Sequence, residues 1–163
     1  MARVADGPVL GQPQLGQEND GYADGGGSCV RMRRRCMQVR VGVTSLADGV
    51  DQLFARAVLD RDGQIEVIVP AARYRDSLPR ESHAEYDDLI NHAIGVHRLG
   101  FTESTAESHM AASELMISMV SELLAVWDGK PARGYGGTAD AVARARECGR
   151  RDRVIWPERA TRD

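Results

Sequence analysis

The stretch Gly134-Tyr135-Gly136-Gly137-Thr138-Ala139-Asp140, with Asp128-Gly129 shortly before it, carries residue types suited to holding an anion. An apolar run, Leu123–Trp127, leads in, and a helical pattern, Ala139–Cys148, leads out. A strand, a glycine loop and a helix in that order leave unpaired backbone N–H groups at the helix N-terminus, where a phosphate can sit. Gly134, Gly136 and Gly137 let a ligand approach the backbone closely. Thr138 suits the N-cap, and Asp140 then falls in the first turn beside whatever the loop holds. The same residues also make an ordinary turn before a capped helix, so the chemistry depends on what else converges there.

A second loop, Ser45-Leu46-Ala47-Asp48-Gly49, has the same setting. It follows the alternating, β-branched run Val39–Thr44, which reads as a strand, and precedes an amphipathic helix over 51–60. Asp48 and Asp51 stand three apart at the helix start. They read either as a cap with a favourable first-turn carboxylate or, together with Gln52, as the polar wall of a ligand cleft. Arg73, Tyr74 and Arg75 lie in a loop over 71–79, within reach of a phosphate or a base, but read first as surface packing. His109, near the start of a helix, reads as a surface residue before it reads as a cleft residue.

The elements that must position these loops follow one rhythm. Strands at 39–44, 65–70, 95–99, 123–127 and 153–156 alternate with helices at 51–60, 82–94, 104–119 and 139–148. Short strands separated by helical patterns predict an α/β fold: a Rossmann-like three-layer sandwich with a mostly parallel sheet of about five to six strands. The near-continuous apolar run at 123–127 fits a strand covered on both faces. Ligands in such folds sit outside the carboxyl ends of the strands, and both loops follow strand carboxyl ends. The Met-rich stripe Met110, Ala111, Leu115, Met116, Met119 reads as core or as a subunit contact.

Ahead of this lies a different composition. Met1–Ala5 reads as a short strand, and the Gly-, Gln-, Asn- and Asp-rich stretch through Gly27 reads as linker, so residues 1–27 are expected to be poorly ordered and 28–163 to form the domain. Ser28–Met37 reads as a short helix with a basic cluster, most simply a solvated face.

Composition narrows the function classes. The net charge of −3 gives no electrostatic case for nucleic acid, and 5% aromatics leave few base-stacking platforms. No apolar run approaches the ~20 residues of a membrane span, and the N-terminus lacks a signal-peptide pattern. Cys29, Cys36 and Cys148 show no C-x-x-C spacing and read as reduced thiols of a cytoplasmic protein. Neither the cysteines nor His83, His92, His97 and His109 have ligand spacing, so neither a metal nor a cofactor is expected.

Thr44–Ala55, the strand ending Ile68-Val69-Pro70, and Ala125–Gly129 followed by Gly136–Asp140 resemble the SLOG superfamily. That group of Rossmann-like nucleotide-binding domains includes the DNA-processing SMF proteins and the lonely-guy (LOG) phosphoribohydrolases. The likeness covers roughly residues 28–163 and is to a bacterial branch of small proteins. It implies a nucleotide or nucleotide-derived ligand held by Ser45, Asp48, Gly49, Asp51, Gln52, Asp128, Gly129, Gly134, Gly136, Gly137 and Thr138. In LOG enzymes the glycine loop reads P-G-G-x-G-T-x-x-E, and an acidic residue after the threonine helps cleave an N-glycosidic bond. Asp140 is the counterpart here, shorter than Glu, with the proline absent and with Arg133 or Arg144 as stand-ins for the accompanying arginine. The T-G-H-R-like first loop of these relatives is replaced by Arg3–Pro8.

Three functions follow as expectations: nucleotide binding with phosphate at Gly134–Thr138; cleavage of an N-glycosidic bond in a nucleoside monophosphate, with Asp140 stabilising an oxocarbenium-like centre; or a scaffold acting through protein contacts, with helix 104–119 as the surface for a homodimer.

Overall fold

The computed structural model describes residues 2–5, 40–132, 134–158 and 160. The linker expected through Gly27, the helix expected at Ser28–Met37, Cys29, Cys36 and Arg133 lie outside the described residues.

Two parallel ladders form the sheet. In the first, β2 (Val41–Thr44) pairs with β3 (Gln64–Ala71), and β3 pairs with β4 (Gly95–Phe101). In the second, β5 (Glu122–Val126) pairs with β6 (Arg151–Ile155). Between them lies β1 (Ala2–Ala5), antiparallel to both β2 and β5. The strand order is therefore β4-β3-β2-β1-β5-β6. Because β1 opposes both neighbours, the two ladders run in the same direction. The sheet is mixed: five of its six strands run one way, and the antiparallel β1 divides the parallel pairing into groups of three strands and two.

Strand β3 shows how alternation becomes a covered sheet. Ile65, Val67 and Val69 pack on one side with Ala55 of α1 (Val50–Leu59), Tyr74 of α2 (Tyr74–Ser77), and Tyr86 and Leu89 of α3 (His83–Asn91). Ile68 points the other way, where it meets Val43 of β2 and Ala112 and Met116 of α4 (Ala106–Met119). Successive side chains of a strand face opposite sides, so one apolar run supplies two cores. On β5, Leu123 and Ala125 pack with Val142 and Ala145 of α5 (Thr138–Glu147) and with Ile117 of α4. Helix α4 thus spans both ladders. Its methionines serve the chain's own core, with Met116 at 2% exposure.

Local chemistry sets the element ends. Thr105 caps α4 through a reciprocal pair: its hydroxyl accepts from Ser108 N at 3.3 Å, and Ser108 Oγ accepts from Thr105 N at 2.9 Å. A 3-10 turn at Arg80–Ser82 precedes α3, and the loop expected over 71–79 contains the short helix α2.

Candidate functional site

The loops that end β2, β3 and β4, and the loop that ends β5, meet above one edge of the sheet. They enclose an inner cavity of about 170 Å³ lined by Ser45, Ala47, Asp51, Tyr74, His109 and Ser113, with Gly136–Thr138 closing one side. An outer, more open cavity of about 490 Å³ adjoins it, between Ser104–Ala106 and Gly134–Thr138. His109, Gly136, Gly137 and Thr138 line both.

The Ser45–Gly49 loop is held from below. Thr44 Oγ1 accepts from Leu46 N at 3.2 Å, and Asp51 Oδ2 accepts from Ala47 N at 3.3 Å. Leu46 is fully buried with φ at +55°, an uncommon conformation for a side chain of this size. Its burial in the core shared with Tyr74 and Ala55 offsets that cost. Gln52 donates from Nε2 to the carbonyls of Leu46 and Ser82, at 3.3 and 3.4 Å, so its amide ties the loop to the 3-10 turn. Gly49, with φ at +79°, is the N-cap of α1. Asp48 and Gly49 are exposed and line neither cavity. Of the acidic pair at this helix start, Asp51 faces the cleft.

The glycine turn is shaped by its own acid. Asp140 Oδ2 accepts from Gly136 N at 2.8 Å and from Gly137 N at 3.3 Å. Gly137, not Thr138, is the N-cap of α5, and Thr138 is its first helical residue. The Asp140 carboxylate therefore folds back onto the turn and engages two of the N–H groups that a glycine loop would present to an anion. The N–H groups of Thr138, Ala139 and Asp140 sit in the first helical turn, where no intrahelical acceptor is within reach. Gly136 has φ at +81°, and a Cβ built on it would lie 2.6 Å from the Ala106 carbonyl oxygen. Only glycine lets the turn rest this closely on the start of α4.

Asp128 and Gly129 sit apart from the cavities. Asp128 Oδ1 accepts from Lys130 N at 3.0 Å, and Trp127 Nε1 donates to the Lys130 carbonyl at 2.7 Å, so this segment forms a tight turn after β5. Of the eleven residues expected to bind a ligand, Ser45, Asp51, Gly134, Gly136, Gly137 and Thr138 come together in the cleft. Asp48, Gly49, Gln52, Asp128 and Gly129 do not line it.

No family model matches the chain, and no curated protein matches it.

Two side chains read first as surface residues are central to the cleft. Tyr74 is 2% exposed. His109 is exposed at its rim, yet its ring stands edge-on to Tyr74, with centroids 5.8 Å apart and planes at 73°. Its Nε2 lies 2.7 Å from Ser104 Oγ. Burial pushes the imidazole below its usual range and the Tyr74 phenol well above its own. The sequence signal was present in part. His109 lies one turn from Ser113 on α4, the spacing that puts two polar groups on one helix face. Tyr74 gave no periodic signal, because α2 is only four residues long.

Among the described residues, no group of three or more His, Cys, Asp or Glu side chains is placed to hold a metal ion, and no helix is long and apolar enough to cross a membrane.

Proposed function

We propose that the chain is a Rossmann-like domain of the SLOG type that binds a nucleotide or nucleotide-derived ligand in the cleft, with phosphate at the Gly134–Thr138 turn. The observation that carries this reading is convergence. Two loops about ninety residues apart, which resemble the SLOG pattern separately, line one continuous pair of cavities at the carboxyl ends of the strands. The outer cavity, at about 490 Å³, has the size of a small-molecule site, about 300–1,000 Å³.

The two cavities differ in chemistry, which orients the ligand. The inner one offers Asp51, Ser45, Ser113 and Tyr74, groups that suit hydroxyl and amino functions of a ribose or base. The outer one offers the start of α5 and the Ser104–Ala106 segment at the start of α4, which suit an anion. Asp140 favours binding over bond cleavage. Its carboxylate is engaged with the Gly136 and Gly137 N–H groups and does not line either cavity.

A thermal-shift panel of nucleoside mono-, di- and triphosphates and cyclic dinucleotides tests the reading, with Thr138→Asp as control. An aspartate at the first position of α5 suits the helix dipole, so the fold is kept, while its charge repels a phosphate in the cleft. A ligand at 100 times its Kd stabilises by about 2.7 kcal/mol, a shift of roughly 5–11 °C for a chain of this size. A shift in the wild type that the control lacks is the expected result. No shift with any nucleotide, in a protein that melts cooperatively, rejects the proposal.

A further inference from the structure

We propose that His109 is the cationic contact of this cleft, pairing in its protonated form with the ligand's phosphate, so that binding tightens as pH falls. The inference rests on the nucleotide reading and adds to it a residue and a pH dependence.

The glycine turn has fewer free donors than its glycines suggest. Asp140 engages two of its N–H groups and brings a carboxylate to the same turn. A phosphate held there would meet negative charge. Among the described residues lining the two cavities, His109 is the one whose side chain can carry positive charge. It also stands where the cavities join, since it lines both. Its position is fixed on two sides, by the Tyr74 ring and by Ser104 Oγ at 2.7 Å.

Other titratable groups surround it, and Tyr135 of the glycine loop lines the outer cavity beside it. Tyr74 of α2 stays neutral, since burial raises its phenol far above neutral pH. Asp51 of α1 lines the inner cavity, and Asp140 of α5 is bonded to the turn. Glu107, in the first turn of α4, is held below its usual value by backbone and Thr105 hydrogen bonds and is ionised. Arg73 and Glu103, next in sequence to Tyr74 and Ser104, neutralise each other in an ion pair at 3.0 Å.

In the free protein, the partial burial of the ring against Tyr74 lowers the imidazole from its usual value and favours the neutral form. An anion beside it favours the protonated ring and raises its pKa. Binding then takes up a proton, and affinity rises as pH falls from the bound value toward the free one. The rise is up to about tenfold for each pH unit between them.

The test uses adenosine 5′-monophosphate, titrated into the full chain at about pH 5.5 and about pH 8, with His109→Gln and His109→Lys alongside. The phosphate's own ionisation, near pH 6, is common to all three proteins and cancels in their comparison. The wild type should gain several-fold more affinity at the lower pH than His109→Gln, which keeps the weaker high-pH binding. His109→Lys, charged at both values, should bind with less pH dependence than the wild type. A histidine NMR titration should show the His109 pKa rising when the nucleotide is added, a change that a purely structural ring would not show. Equal pH dependence in wild type and His109→Gln, or a His109 pKa that does not move on saturation, overturns this proposal and leaves nucleotide binding standing. Absence of binding by the wild type at both pH values counts against the nucleotide reading and this inference together.

Discussion

Asp140 does two things with one oxygen. It accepts from Gly136 N and Gly137 N, and in doing so sets the turn that closes the cleft. Removing a side-chain acceptor at a helix start costs about 0.5–2 kcal/mol. Asp140→Ala should therefore lower the unfolding free energy measured by urea titration by an amount in that range, with a lower midpoint, while Asp140→Asn, which keeps an oxygen in place, should lose less. An Asp140→Ala midpoint equal to the wild type would mean that the carboxylate does not hold the turn. At this scale the sequence was informative about residue types and less so about their directions. Glycines, Thr138 and Asp140 announced a helix start, yet either Gly137 or Thr138 could be its cap, and the choice depends on where Asp140 turns. Asp51 and Asp48 were equivalent by spacing. Their separation into cleft and solvent depends on Gly49, whose positive φ sets the direction in which α1 leaves the loop.

Helices α1 and α3 are joined by charge as well as by their apolar faces. Arg56 donates from Nε and Nη2 to Glu85 Oε1, at 3.0 and 2.7 Å, and from Nη2 to Asp88 Oδ2 at 2.7 Å. The guanidinium holds the Asp88 carboxyl below its usual value through that hydrogen bond. A carboxylate with a depressed folded-state pKa stabilises the fold fully above its unfolded value, near 4, and the contribution fades as pH falls through the folded one. Arg56→Met should accordingly melt below the wild type at pH 7, and the gap should close toward about pH 3. All three side chains are more than a third exposed, so the gap is small and should shrink in high salt. A gap that persisted at about pH 3 would assign the effect of Arg56 to packing of its stem rather than to its charge. Elements themselves were highly legible, because the core helices repeat their apolar residues at helical spacing, β2 and β3 are rich in β-branched residues, and β5 lies in a nearly continuous apolar run. Helix α2 was missed because a single turn has no period to detect.

Among the described residues, two parallel ladders are joined by α4 and β1 across the sheet. On α4, Ala112 and Met116 pack toward β2 and β3 while Ile117 packs toward β5 and α5. Strand β1 is paired antiparallel to β2 on one side and β5 on the other. The direction of β1 was not legible, since residue types and alternation are the same for a strand entering either way. The position of the cleft follows from this arrangement. Ser45, Asp51 and Tyr74 belong to the first ladder's side, Gly136–Thr138 to the second's, and His109 to the helix that spans them. A strand paired on both edges directs each N–H at one neighbour or the other, so a proline within it removes a ladder bond whichever way that residue faces. Val4→Pro should therefore loosen the join without dismantling either ladder. In native-state hydrogen exchange, amides of β2 and β5 should lose protection, while those on the β3–β4 pairing, which β1 does not touch, keep theirs. A bound ligand bridging the cleft should restore part of the lost protection, because it contacts both sides of the join. Unchanged exchange in β2 and β5 would mean that α4 alone holds the ladders together, and uniform loss across all strands would mean that the two ladders unfold as one unit.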